Sequence, residues 1–440
     1  MFPLHPVQGQ FTHRSQTEID FGAETKTVTV NTQPIVTAVD EIAGEASSRL
    51  AMSVVARRAI SVRVTSDIAE VEPVWRQFAA AGLESPGQSY DFIRLWLKDR
   101  DIPQSAQSYV VGEVDGMPVA LLPLHRKRVH GVSLYTWFPG PQAGCYAPLA
   151  DHDRLEALGE SGRLALWQAM IGALEGASLV YLRSVPTRIG ARAGLFDELG
   201  SMLAVETLYR AEFSSWTQCD SEQRSRSRRK HDRQQGDRLA ALGEVGFEEI
   251  TDLDTAHAAL DIMFAQRSAR FRAQGIRDAF VADDLIGFYH ATLEPGSGLD
   301  VRLHVLRLDG NIVAVRYNIV HGDRMFCLIS SMSDCNRIQS GSPGKQCLLR
   351  VMQTVFDQGI TMFDMGSGFT DEKRHWCNVQ IPLRQHYVAL TPFGGLVIMG
   401  HQSFQRLRSW AKANTTIKSF IRSACQFRDR LLGRLPSDQL

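Results

Sequence analysis

The residues best equipped for chemistry cluster late in the chain, where Asp364-Met365-Gly366-Ser367-Gly368 is followed closely by Lys373, His375 and Trp376. Asp364 and His375 are side chains that can take up a proton, and Lys373 is a cation that can meet a negative charge. The bland alternatives are a strand-end carboxylate that caps nearby N–H groups and a surface cation. A second grouping lies upstream at Gly341-Ser342-Pro343-Gly344-Lys345-Gln346. Ser342 suits a helix N-cap and Pro343 the first helical position. The N–H groups of Gly344, Lys345 and Gln346 are then expected to be unpaired at a positive helix end, a place fit for a pyrophosphate. Gly341 and Gly344 would let a ligand approach the backbone. A Ser-Pro-Gly step alone more often merely starts a helix. Gly366-Ser367-Gly368 is no dinucleotide fingerprint, because it opens no helical pattern and lacks the third glycine.

A third grouping is basic. In SEQRSRSRRKHDRQQGDRLAALG, helical spacing places Arg226, Arg229, Lys230 and Arg233 on one face. A solvated linker helix is the commonest meaning of such a run. Clustered guanidinium groups also hold phosphates or carboxylates. Nucleic acid is the least favoured partner, since no aromatic residues interleave and Lys plus Arg equals Asp plus Glu at 48 each.

The elements that must position these groups read as two similar sets. In the first, SVRVTSD alternates like a strand, and helical stripes follow over Val71–Phe78 and Phe92–Trp96. Two strands flank the turn Asp115-Gly116, and a helix near Leu164–Glu175 ends at Gly176 before the strand ASLVYLRSV. In the second, helices are expected over 254–274 and 282–293, and strands flank Asp309-Gly310. A helix near 345–358 ends at Gly359 before ITMFDMG. The repeated order predicts an internal duplication and an α/β (α+β) fold, with mixed central sheets flanked by helices.

The rest of the chain bounds the possibilities. At 440 residues, two domains with tails are expected. Seven scattered cysteines without a C-x-x-C pair or metal-ligand spacing point to a reducing compartment and to no metal. The polar start and the lack of a run of about eighteen apolar residues add to a cytoplasmic expectation. Residues 1–58 read as a largely disordered leader with one short helix near Ala43–Arg58. Residues 401–435 space Phe404, Leu407, Ile417, Phe420, Ile421, Ala424 and Leu431 like a helix among many arginines and lysines. That tail has two open meanings: contact with a partner or an anionic membrane surface, or packing on its own domain.

The order strand, Ser-Pro-Gly, helix, glycine, strand, Phe363-Asp364-x-Gly366-x-Gly368 and Lys373-x-x-Trp376 resembles the C-terminal GNAT module of the CelD-like acetyltransferases, linked to cellulose and exopolysaccharide biosynthesis. The basic stretch Ser225–Gly243 and the hairpin Leu308–Gly310 are similar to that family as well. The likeness covers about residues 60–392 and is best over 224–392. At greater distance the chain is similar to the Fem-type peptidoglycan aminoacyltransferases. The resemblance implies tandem GNAT-like domains over 59–215 and 216–395, and acetyl-CoA or another acyl-CoA as donor, with its pyrophosphate at Gly341–Gln346. It also implies a saccharide or other small acceptor, for which Arg226, Arg229, Lys230, Arg233 and Trp376 are the candidate contacts. The implied acyl transfer needs a base, for which Asp364 and His375 are candidates by position, and Lys373 could hold a phosphate or the tetrahedral oxyanion. Two departures stand out. Arg337-Ile-Gln-Ser-Gly does not keep the usual phosphate-loop spacing, and Glu372 stands where relatives often carry tyrosine. A tRNA-dependent aminoacyltransferase and a catalytically silent scaffold of a polysaccharide synthase cluster are the alternatives.

Overall fold

The two Asp-Gly steps do as their chemistry requires. Asp115 and Gly116 have φ of 53° and 77°, and Asp309 and Gly310 have 48° and 77°. This left-handed pair matches the twist of a tight hairpin and is tolerated best by Asp and Gly. In the computed structural model, which describes residues 26–29, 58–140, 143–275 and 277–413, each turn joins the two long strands expected around it.

In the first half the elements are β1 (Lys26–Thr29), β2 (Ile60–Thr65), α1 (Ile68–Ala80), α2 (Tyr90–Asp99), β3 (Gln107–Val114) and β4 (Met117–Val129). They continue with β5 (Val132–Thr136), α3 (Gly159–Gly172), β6 (Leu179–Pro186) and β7 (Ser201–Glu212). The second half holds α4 (Arg226–Ala240), β8 (Val245–Ile250), α5 (Leu253–Ala273), α6 (Ile286–Leu293), β9 (Asp300–Leu308), β10 (Asn311–His321) and β11 (Arg324–Met332). It ends with α7 (Pro343–Asp357), β12 (Met362–Ser367), α8 (Asp371–Trp376), β13 (Val379–Ala389) and α9 (Pro392–Ala413). One mixed sheet runs β1-β2-β3-β4-β5-β6-β13-β7-β12-β11-β10-β9-β8, with the short strand Leu149–Ala150 beside β4.

That order is nearly palindromic. Each half runs antiparallel strands into a crossover helix and then a parallel strand: β5 beside β6 after α3, and β11 beside β12 after α7. The last strands are exchanged. β7, from the first half, pairs with β12, whereas β13, from the second, pairs with β6. A sequence boundary near 215 is therefore no spatial boundary, and the halves share the centre of one sheet.

Helix packing follows from small residues and apolar faces. A Cβ on Gly112 of β3 would stand 2.5 Å from Met170 Sδ, so glycine is what lets α3 lie against the sheet. On α7, Val351, Met352 and Val355 are buried. An aromatic cluster ties the halves together, with Phe288 of α6 at 5.0 Å from Phe92 and 5.1 Å from Trp96 of α2. At about 1.5–3 kcal/mol for each fully buried large side chain, such a seam makes separate movement of the halves costly.

Two expectations shift. The helix expected over 282–293 breaks, because Asp284 adopts φ 49° and the Asp283 carbonyl accepts a 2.7 Å bond from Arg100 Nη1, leaving Ala279–Ala282 and α6 as separate pieces. In the leader, β1 pairs with β2. The expected helix near Ala43–Arg58 and the tail beyond residue 413 lie outside the described residues. Among those described, no helix is long and apolar enough to cross a membrane.

Candidate functional site

β11 and β12 pair in parallel only through Arg324–Met362, Met325–Phe363 and Phe326–Asp364. Beyond these pairs they diverge. The opening is a cavity of about 170 Å3 lined by Cys327 and Leu328 on one strand and by Asp364–Ser367 on the other, with Lys373 and Ser85 beside them. It sits at the carboxyl ends of parallel strands, where open α/β sheets bind ligands.

Asp364 is buried at this opening. Its Oδ2 accepts from Arg210 Nε at 2.7 Å and its Oδ1 from the Gly366 N–H at 2.7 Å. Arg210 stands directly opposite on β7, the exchanged strand, and donates through Nη1 to Glu84 Oε2 at 2.6 Å. Arg324 also reaches Glu84, at 3.2 Å. Burial raises the Asp364 carboxyl against the pull of Arg210. For Arg210, burial works against the charge, yet Glu84 and Asp364 hold its pKa above the ordinary value. A buried arginine between two carboxylates is costly to break and fixes geometry. Asp364 thus sits at the site as expected, with both oxygens engaged in holding β12 to β7.

Lys373 meets the expectation of a cation at the site. Its ammonium donates to the Ser367 carbonyl, and burial lowers its pKa. Cys327 is kept in the thiol form, because burial raises it. Glu372 is 3.6 Å from Arg316, whose Nη2 donates to the Gly344 carbonyl at 3.1 Å. This ion pair links the residue found in place of tyrosine to the first turn of α7. His375 does not line the cavity. Burial depresses its pKa first, followed by the charges of Arg228, Arg374 and, among others, Lys345. Trp376 is buried against Trp216, ring centres 6.1 Å apart, with Arg224 over its face at 5.9 Å, so it packs the core.

The expected phosphate loop differs in detail. Ser342 adopts φ 50° and does not cap with its side chain; instead its carbonyl accepts from the N–H groups of Lys345 and Gln346, both at 3.0 Å. Of the three N–H groups expected to be unpaired, only that of Gly344 lacks an acceptor among the described residues. Gln346 is buried and donates to the Asp232 carbonyl of α4 at 2.8 Å. A Cβ on Gly341 would meet Leu239 of α4 at 2.8 Å, so this glycine admits a helix where a ligand was expected. The same contacts bring two of the sequence groupings together, since α4 packs against the start of α7. Of its basic face, Arg229 pairs with Asp220 at 2.9 Å. Arg226, Lys230 and Arg233 are exposed and make no ion pair among the described residues.

Sequence reasoning missed Arg210, Glu84 and Arg316. For the two arginines the available signal was a charged residue inside an otherwise buried strand pattern, as in LYRAEF and VAVRYNIV; Glu84, on the loop between α1 and α2, carried no such signal.

Residues 226–374 match the family model described as an acetyltransferase (GNAT) domain, so this segment carries a domain of that superfamily. No curated protein matches the chain. Among solved structures, the chain is similar to the C-terminal domain of a putative lysylphosphatidylglycerol synthetase from Agrobacterium fabrum, with 14% identity, 76% of this chain and 95% of that one covered, and a TM-score of 0.45. FemX is similar at 12% identity, with 74% and 98% covered and a TM-score of 0.48. A tandem GNAT protein from the clavulanic acid biosynthesis pathway is similar at 11% identity, with 74% and 97% covered and a TM-score of 0.40.

Proposed function

We propose that this chain is an acyl-CoA-dependent acyltransferase whose donor site is the opening between β11 and β12. The observation that carries the reading is that parallel pairing stops after Phe326–Asp364, inside the segment that matches the acetyltransferase domain. Strand edges freed there offer peptide groups to the amides of a pantetheine arm. The phosphates would lie toward the start of α7, near Lys345 and the exposed Arg226 and Lys230 of α4.

In the reaction, an acceptor N–H or O–H attacks the thioester carbonyl carbon. A bond to carbon forms, the C–S bond breaks, and the acceptor proton ends on the departing thiolate as free CoA. Lys373 is the group suited to hold the carbonyl oxygen as it takes on charge, and its buried setting strengthens that contact. Asp364 acts as a positioning residue through Arg210. Acetyl is the donor group that the family resemblance favours, with an acceptor in exopolysaccharide, cellulose or cell-envelope synthesis.

The test is to titrate the full chain with acetyl-CoA by calorimetry and to follow CoA release with saccharide and amino-sugar acceptors. Binding that is lost in Gly341→Val supports the reading. Absence of CoA binding overturns it in favour of a silent scaffold, and a requirement for charged tRNA overturns it in favour of an aminoacyltransferase.

A further inference from the structure

The first half has an opening of its own. β5 and β6 pair in parallel at Leu134–Leu179 and Tyr135–Val180. Alternation places His125, Lys127 and Val129 of β4, Val132, Leu134 and Thr136 of β5, and Leu179, Tyr181 and Arg183 of β6 on one face of the sheet. That face floors a pocket of about 660 Å3, walled by Trp96, Trp137, Phe138 and, from α9, Ile398 and His401.

Its charges are unbalanced. Among the described residues, neither Lys127 nor Arg183 makes an ion pair with a carboxylate. Arg183 Nη2 donates to the Pro139 carbonyl at 3.4 Å. Asp283 also lines the pocket, but its carboxylate pairs with Arg277 at 2.6 Å. Arg100 is held by Asp99 at 2.6 Å. Lys127 has its pKa lowered first by burial and then by the charge of Arg183, and His125 is pushed down to about 4 by burial and by Lys127. Lys127 is exposed at the mouth and Arg183 half-buried, so two like charges face the pocket with no protein counter-ion, an arrangement that attracts an anion.

The surroundings say what else the anion carries. Apolar and aromatic side chains dominate the walls, which suits a hydrocarbon chain. On the other side of α9, Phe393, Leu396, Met399, Phe404, Leu407 and Trp410 are all exposed. Arg406 and Arg408 stand among them, also exposed. An apolar stripe flanked by bases is the face a helix presents to an anionic lipid surface.

We propose that this pocket binds the phosphate of a membrane-borne amphiphile, with its phosphate on Lys127 and Arg183 and its chain along Trp96, Leu134, Trp137 and Leu179. α9 lies on the bilayer that supplies it. The proposal is independent of the donor site in the second half.

The full chain is titrated with decyl phosphate below its micelle concentration, followed by tryptophan fluorescence, beside inorganic phosphate, decanol and CoA. Decyl phosphate is expected to bind at least about tenfold more tightly than the others. Lys127→Met/Arg183→Met is expected to lose about tenfold or more. Lys127→Gln alone gives the same order with a smaller loss should the double variant fail to fold. Equal binding by wild type and variants overturns the site. Displacement of decyl phosphate by CoA or inorganic phosphate at matched concentration overturns the amphiphile. For the source, wild type is expected to float with phosphatidic acid vesicles and not with phosphatidylcholine vesicles. Leu396→Glu/Leu407→Glu should lose flotation and keep decyl phosphate binding; flotation unchanged in that variant overturns the membrane source.

Discussion

The opening between β11 and β12 and the opening between β5 and β6 share a backbone plan, and their linings differ in kind. In the second half the flanking exchanged strand places Arg210 opposite Asp364, so Arg210, Asp364 and Glu84 form a buried, paired set with contacts of 2.6–2.7 Å. In the first half the flanking strand places Tyr387 beside Tyr181, rings 5.2 Å apart, and Lys127 and Arg183 pair with no carboxylate among the described residues. The same sheet geometry can therefore supply a rigid polar cleft or an apolar pocket edged by cations without a carboxylate partner. What decides is the pair of side chains brought in by the neighbouring strand, and both such strands come from the other half.

The strongest way to break this contrast is Arg210→Met. It leaves Glu84 and Asp364 buried without their cation, which should cost about 3–5 kcal/mol in denaturant unfolding and abolish acyl transfer. A neutral result would mean that the charges are not balanced by Arg210. Lys373→Met comes next. Losing one donor to a developing oxyanion typically lowers turnover about 10²–10³-fold, so kcat should fall by that order while CoA affinity stays within about twofold. A change confined to affinity would move Lys373 from the carbonyl to the phosphates.

Gly341→Val probes the seam between α4 and the loop before α7. Overpacking against Leu239 should cost about 1–3 kcal/mol and weaken CoA binding about tenfold, read by thermal melting and calorimetry. Unaltered affinity would remove the α7 start from the donor site. The smallest effect concerns the first-half pocket. His125 takes up a proton near 6.5 when unfolded and near 4 when folded, so the unfolded chain binds more protons between those values. Stability is therefore full above about pH 6.5 and declines as pH falls toward about 4. His125→Phe keeps the stacking on Phe138 and should flatten this slope by about 1 kcal/mol, discounted for partial exposure. A slope unchanged in that variant would assign the proton uptake elsewhere.

Local chemistry was legible in the sequence. The Asp-Gly turns, the second crossover helix ending just before Gly359, and the duplicated order all depend on residues close in sequence, and the structure shows each of them, whereas the first crossover helix already ends at Gly172 and not at Gly176. That Asp364 and Lys373 come together was legible for the same reason, since a strand end and the short helix beyond it lie nine positions apart. What failed depends on long range. Nothing in LYRAEF says that Arg210 will meet Glu84, 126 residues earlier, and Asp364, 154 later. Gly341 and Gln346 read as ligand contacts because an anion and a neighbouring helix ask the same of a backbone, namely room and a polar partner. The helix over 282–293 broke for a similar reason, since Arg100 competes for carbonyls that an isolated helix would keep.

The exchange of β7 and β13 has a consequence for how the chain matures. As the polypeptide leaves the ribosome, β6 has no neighbour on one side until residues 379–389 have been made, and an open strand edge invites wrong partners. β7 in turn waits for β12, more than 150 residues later. The central sheet is thus completed last, from segments far apart along the chain, which makes folding slow and all-or-none. A nick or truncation in the second half would leave the first with a missing strand, so neither half is a unit that evolution or an experimenter can transplant alone.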